Sequence, residues 1–197
     1  MSPSETSAAP TAASDNPSSD AEPGSPTEAE PEQPEPGLNL ALTSHADGPD
    51  ALPAADRDWL LHRLHQALQH LGVTQATLAI HAARDDEMAQ LHQQFSGVPG
   101  TTDTLSFDLR PTPEGPPQGD IAIGLDVATR RANSLPHDTK HELLLYALHG
   151  IMHLLGEDDT TPGAAQRMHQ REDDTLSAIG VGPLYHTPPQ TPAEPPA

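Results

Sequence analysis

A chain of 197 residues is long enough for one domain of ordinary size. It has no cysteine, which excludes disulfides and thiolate metal sites, so any metal has to be held by His, Asp or Glu. The formal net charge of -20 stays strongly negative when the acidic ends are set aside. That argues against extended binding to nucleic acid through Lys and Arg, while leaving room for a local basic patch or a phosphate held by a metal.

Residues 1–37 are mostly Pro, Ser, Glu, Ala and Thr, with acids from Glu5 to Glu35 and no Lys or Arg. Such a segment cannot bury enough apolar surface to offset chain entropy. A disordered acidic tail is expected, a solvated extension rather than a dedicated interaction segment. The start has neither the charged n-region nor the apolar core of a signal peptide, and no stretch approaches the roughly 20 apolar residues of a membrane span. A soluble, cytoplasmic protein with no membrane contact is expected.

Leu38 to Leu42 reads as a first strand with its leucines on one face, and Ala46 to Pro53 as a loop. Asp56 to Leu71 is a helix whose apolar stripe is Trp59, Leu60, Leu64, Ala67, Leu68 and Leu71, ended by Gly72. His62, His65 and His70 on it read as surface residues. Ala76 to Ala82 is a strand, and Arg84 to Phe95 a helix with Met88, Leu91 and Phe95 inward. Thr101 to Phe107 is a β-prone run, and Gly119 to Gly124 a short strand. Asp126 to Asn133 is a short helix. Pro136 opens a central helix to about Leu155, and Pro162 starts a last helix to about Ile179. Five prolines then mark residues 187–197 as a loose tail. The order β-α-β-α-β-β-α-α-α, without internal repeat, predicts one α+β domain over 38–186, a small mixed sheet packed on helices.

The chemistry concentrates in the central helix. His149 and His153 stand four apart inside the apolar run Leu143 to Leu155, which places both imidazoles on one helix face, where they can share one divalent metal. Gly156 falls where a helix stops in the left-handed conformation, so the chain can turn back and Asp159 can supply a third ligand. Three protein ligands with a fourth position left to water is the arrangement of a catalytic zinc site. The bland alternative, two hydrogen-bonded core histidines, accounts for neither the Gly turn nor the third donor.

His149, Gly150, His153, Leu154, Gly156 and Asp158 reproduce most of a signature, His-Gly-x-x-His-Leu-x-Gly-x-Asp-His. Thr102 to Phe107 nearly matches Thr-Asp-Val-Leu-Ser-Phe, Gly119-Asp120-Ile121 a third feature, and His141-Glu142 the pair that begins the metal helix. In this order and spacing, across about 38–186, the chain resembles the YbeY family of metal-dependent endoribonucleases. The resemblance implies a zinc-dependent hydrolase that cuts single-stranded RNA in ribosomal RNA maturation (the 16S 3′ end) and ribosome quality control. Its partners would be ribosomal RNA and the small subunit or its precursor, and its metal ligands His149, His153 and Asp159.

Two positions depart from that pattern. The third ligand is Asp159 where the family has His. Carboxylate is a normal zinc ligand, but its charge lessens the acidification of water at the metal and shifts preference toward manganese and other hard ions. Glu157 and Asp158 are neighbouring competitors, and the ten-residue offset from His149 favours Asp159. The family's Arg associated with RNA cleavage corresponds to Ser96, which cannot neutralise a phosphate. Either Arg110, Arg130, Arg131 or Lys140 substitutes, or cleavage is weak.

No residue declares itself as general base. Glu142 lies two turns before His149, about 10 Å by helix rise, and is expected to orient a ligand or support the fold. Two other readings compete. A zinc metalloprotease places ligands at the same spacing but needs Glu directly after the first His, where this chain has Gly150. A ribosome-associated binding factor whose metal is mainly structural is favoured by the acidic charge and by Ser96.

Overall fold

Leu78, Ile80 and Ala82 alternate onto one face of a strand, and the core is built on that face. The computed structural model describes residues 37–44 and 51–185; both expected tails and most of the Ala46-to-Pro53 loop lie outside the described residues. The strands are β1 (Leu38–Ser44), β2 (Ala76–Ala83), β3 (Thr104–Asp108) and β4 (Gln118–Gly124). The helices are α1 (Ala54–His70), α2 (Asp85–Ser96), α3 (Leu125–Ala132), α4 (Thr139–Leu154) and α5 (Pro162–Ala178). Type and order of every element agree with the sequence reading, and the fold is α+β.

The sheet runs β1-β2-β4-β3. β1, β2 and β4 are parallel, with Ile80 opposite Ile121, and β3 joins β4 antiparallel, with Ser106 opposite Ile121. Leu60, Leu64 and Leu68 of α1, Ile121 and Ile123 of β4, and Leu143, Leu144, Leu148 and Ile151 of α4 close the main core, joined by Met168 and Leu176 of α5. On the opposite face, Met88 of α2 packs on Ala83 and Ala122.

α4 is apolar nearly all round because it lies between the sheet and the other helices. Gly150 allows this: a Cβ there would come within 2.7 Å of Ile121 Cγ2. The same contact leaves no room for the Glu that a metalloprotease would carry at this position.

Three expectations are corrected. Phe95 does not face inward; it is 57 % exposed and meets Phe107 of the edge strand β3 edge to face at 4.7 Å, near the end of α2 at Gly97 (φ 70°). α4 begins at Thr139 rather than Pro136, with Asp138 extended at the cap and its carbonyl accepting from His141 N–H. The β-prone run enters the sheet only at Thr104. Asp103 Oδ1 accepts from Thr104 N–H and the Thr102 hydroxyl, while the Asp103 carbonyl still accepts from Gly124 N–H at 2.8 Å as the last bond toward β4.

Candidate metal centre

α4 ends in a turn with two nested bonds, Gly156 N–H to His153 O at 2.9 Å and Glu157 N–H to Met152 O at 2.9 Å, with Gly156 at φ 90°. The reversal sends Glu157 to Asp159 back along the helix. Thr161 then caps α5 by accepting from Ala164 N–H, with Pro162 at its first position.

The turn brings three expected residues together. His149 Nε2 and His153 Nε2 are 3.1 Å apart, and the Asp159 carboxylate lies 3.5 Å from the first and 3.9 Å from the second. Each imidazole is fixed from behind. His149 Nδ1–H donates to Glu172 Oε1 at 2.7 Å, and His153 Nδ1–H donates to the Glu157 carbonyl at 3.1 Å. In the neutral form each Nε2 then presents a lone pair to the other and to a carboxylate, a repulsion that a shared proton or a divalent cation relieves, and the donor set fits a divalent ion held by His149, His153 and Asp159. Among the described residues no other such group occurs; His62 and His70 are exposed and His65 is half-buried. Burial pushes the His149 imidazole down, and the carboxylates of Glu172, Asp103 and Asp159 together outweigh it, so the pKa is raised overall.

The centre opens into a cavity of about 820 Å³. Thr101, Thr102, Asp103, Arg131, Glu142, His169 and Tyr185 line it, the His169 ring 6.5 Å from that of His149. Leu105 to Phe107 do not line it; their backbone pairs with β4. Tyr185 stacks on His169 with centroids 3.5 Å apart, and Asp173 Oδ1 holds the backbone N–H groups of Leu184 and Tyr185.

Glu142 does not reach the histidine pair. It is 2 % exposed, accepts from His137 Nε2 at 2.5 Å, and lies 3.9 Å from Arg131 Nε. Beside it, burial first and Glu142 second raise the Tyr146 phenol pKa far above its ordinary value. Of the four bases weighed against Ser96, three are engaged away from the cavity. Arg110 binds Asp108, whose pKa its hydrogen bonds lower to about 2; Arg130 binds Asp85; Lys140 lies by Asp56 and Asp138 over Trp59. Ser96 itself is exposed and does not line the cavity.

A family model described as Endoribonuclease YbeY matches residues 49–180. The chain belongs to the YbeY family. Proteins named Endoribonuclease YbeY from Anaeromyxobacter sp. (strain Fw109-5) and Clavibacter michiganensis are 37% and 40% identical over 115 residues. These matches cover 58% and 54% of this chain, and 60% and 74% of the two relatives, so less than two thirds of the former. A third of that name, from Anaeromyxobacter dehalogenans, is 36% identical over 143 residues, 72% of each chain. The solution structure of TM1509 from Thermotoga maritima shares the fold with a TM-score of 0.52 at 20% identity, covering 71% of this chain and 88% of that one.

Within this family member, sequence reasoning missed Glu172 and Asp173. Their signal was faint: a run of three acids, Glu172-Asp173-Asp174, inside an amphipathic helix, where two turn inward and are almost fully buried. Buried acids are rare unless paired, and both are paired here.

Proposed function

We propose that this protein is a metal-dependent endoribonuclease that cuts single-stranded RNA in the maturation of ribosomal RNA, with His149, His153 and Asp159 as metal ligands. The observation that carries the reading is the pair of Nε2 atoms, 3.1 Å apart, beside Asp159, with His149 and Asp159 lining a cavity. When bound, a divalent ion supplies Lewis acidity toward a phosphodiester and lowers the pKa of water. Glu172 holds His149 in the tautomer that offers Nε2, and the Glu157 carbonyl does the same for His153. Asp159 adds a negative charge that balances the ion. The Tyr185 ring, backed by His169, offers an aromatic surface at the cavity, which suits an unstacked base rather than a duplex.

Zinc is the proposed ion, and the carboxylate ligand admits manganese as an alternative. Ribosomal RNA in the small subunit or its precursor is the proposed substrate and the cytoplasm the proposed compartment; among the described residues no helix is long and apolar enough to cross a membrane. A mainly structural metal is disfavoured because α4 is already anchored by Leu143, Leu144, Leu148 and Ile151, all fully buried without its help.

The test is metal content together with cleavage of a ribosomal RNA precursor fragment, for wild type and His153→Ala. One equivalent of zinc and metal-dependent cleavage, both lost in a mutant that stays folded, support the nuclease. Unfolding of the mutant favours the structural metal, and metal without cleavage favours the binding factor.

A further inference from the structure

We propose that Arg131 is the residue that grips a phosphate of the RNA in the metal cavity, and that the buried carboxylate of Glu142 positions its guanidinium. This rests on the nuclease reading for the nature of the ligand, a single-stranded polyphosphate, but not for the placement of the residue.

The cavity is lined by four carboxylates, Asp103, Glu142, Asp159 and Glu172, and by a single Lys or Arg, which is Arg131. An anionic strand entering such a cavity needs cationic compensation beyond one divalent ion. The other basic side chains do not line the cavity. Most are paired elsewhere: Arg63 with the Ile179 carbonyl, Arg84 with Asp126, Arg110 with Asp108, Arg130 with Asp85, and Arg171 with Glu157.

Arg131 differs in how it is held. Its side chain is 67 % exposed, and among the described residues no hydrogen bond engages its guanidinium. Yet Glu142 Oε2 lies 3.9 Å from its Nε, and that oxygen is buried and makes no hydrogen bond of good geometry, the Tyr146 phenol being the other polar group beside this carboxylate. The sister oxygen is occupied by His137 Nε2. A buried carboxylate with one oxygen tied down and the other directed at an arginine is a fixed anchor. A contraction of about 1 Å makes the 3.9 Å approach a charge-assisted hydrogen bond through Nε. The two terminal nitrogens then remain for bidentate contact with phosphate, which lysine's point charge cannot copy. An ordinary surface arginine needs no such buried partner.

The experiment measures binding of a nuclease-resistant, 2′-O-methyl single-stranded oligonucleotide to the full zinc-loaded chain across a salt series, with zinc content and RNA cleavage in parallel. Arg131→Ala is expected to weaken binding about tenfold and flatten the log–log salt dependence by about 0.7, one phosphate contact on a single strand, with zinc content unchanged. Arg131→Lys recovers only part of the affinity. Lys140→Ala removes the same charge outside the cavity and leaves the salt slope as in wild type. Glu142→Gln weakens binding less than Arg131→Ala, and the double variant is no weaker than Arg131→Ala alone, the mark of a residue acting through another. Unchanged affinity and slope in Arg131→Ala overturn the proposal. A wild type that binds with the expected Arg131 dependence but never cleaves overturns the nuclease reading and leaves this one standing; a wild type that binds no oligonucleotide overturns both.

Discussion

Two pairs of histidines stand four residues apart around α4, and they meet different fates. His149 and His153 lie within the helix, with ring centroids 4.6 Å apart and Nε2 atoms in contact. His137 and His141 straddle the helix start, because α4 begins at Thr139, and their rings are 6.0 Å apart. Each pair has a buried glutamate behind its first member: Glu172 at His149 and Glu142 at His137. Among the described residues the upstream pair nonetheless forms no group of three donors facing one point. His141 turns its edge to Trp59 at 5.1 Å, and burial first of all lowers its pKa. Spacing alone does not build a metal centre; helical backbone across both residues and a chain reversal that returns a carboxylate are also required.

The comparison is broken most severely by truncating the imidazoles. His153→Ala is expected to reduce bound zinc from one equivalent to near zero and abolish cleavage, while the far-ultraviolet circular dichroism stays that of the wild type. His141→Ala is expected to keep its zinc. Atomic absorption on both purified variants decides it, and zinc lost equally from the two would end the distinction drawn here.

The second contrast lies between the two buried glutamates. Glu172→Gln keeps the shape but removes the charge behind His149. Changes of this kind cost about 10–100-fold in metal affinity. Glu142→Gln is expected to leave zinc affinity within about twofold, since its carboxylate touches His137 and not the centre. Competition with a chromogenic chelator measures both, and a larger effect at Glu142 would reverse the assignment.

What was legible in advance divides along the same line. His149, His153, Gly156 and Asp159 lie within eleven residues, so local helix geometry and one left-handed glycine suffice to bring them together. The element order was legible because each amphipathic stripe has its own period. Glu172 was hidden: it is 23 residues from His149, and only the packing of α5 beside α4 turns it inward. The Arg131 to Glu142 approach depends on how α3 lies on α4, and the inward reading of Phe95 failed because periodicity does not say how much of a helix face its neighbours cover. Local contacts follow from sequence spacing; those between elements follow from tertiary placement.

Gly150, against the sheet, and Gly156, in the turn after α4, yield smaller effects. Gly150→Ala would press a Cβ to 2.7 Å from Ile121 Cγ2, forcing α4 off the sheet. Overpacking of this kind costs about 1–3 kcal/mol, and chemical denaturation should show it. Moving α4 also moves both histidines together, so zinc affinity should fall only slightly.

Gly156→Ala is the gentlest probe and the most selective. A Cβ there meets nothing within 4 Å, so the cost is that of φ 90° for a side-chain-bearing residue, about 1 kcal/mol. For a chain of this size that lowers Tm by about 2–4 °C. The strain falls on the turn that carries Glu157 and Asp159 back, and leaves the helical register of His149 and His153 intact. Zinc affinity should therefore weaken through the third ligand alone, and the variant should respond less than wild type to a further Asp159→Asn change. If the two changes instead add fully, the turn does not deliver Asp159. The absence of such a glycine after His141 would then no longer explain why the upstream pair stays without a third donor.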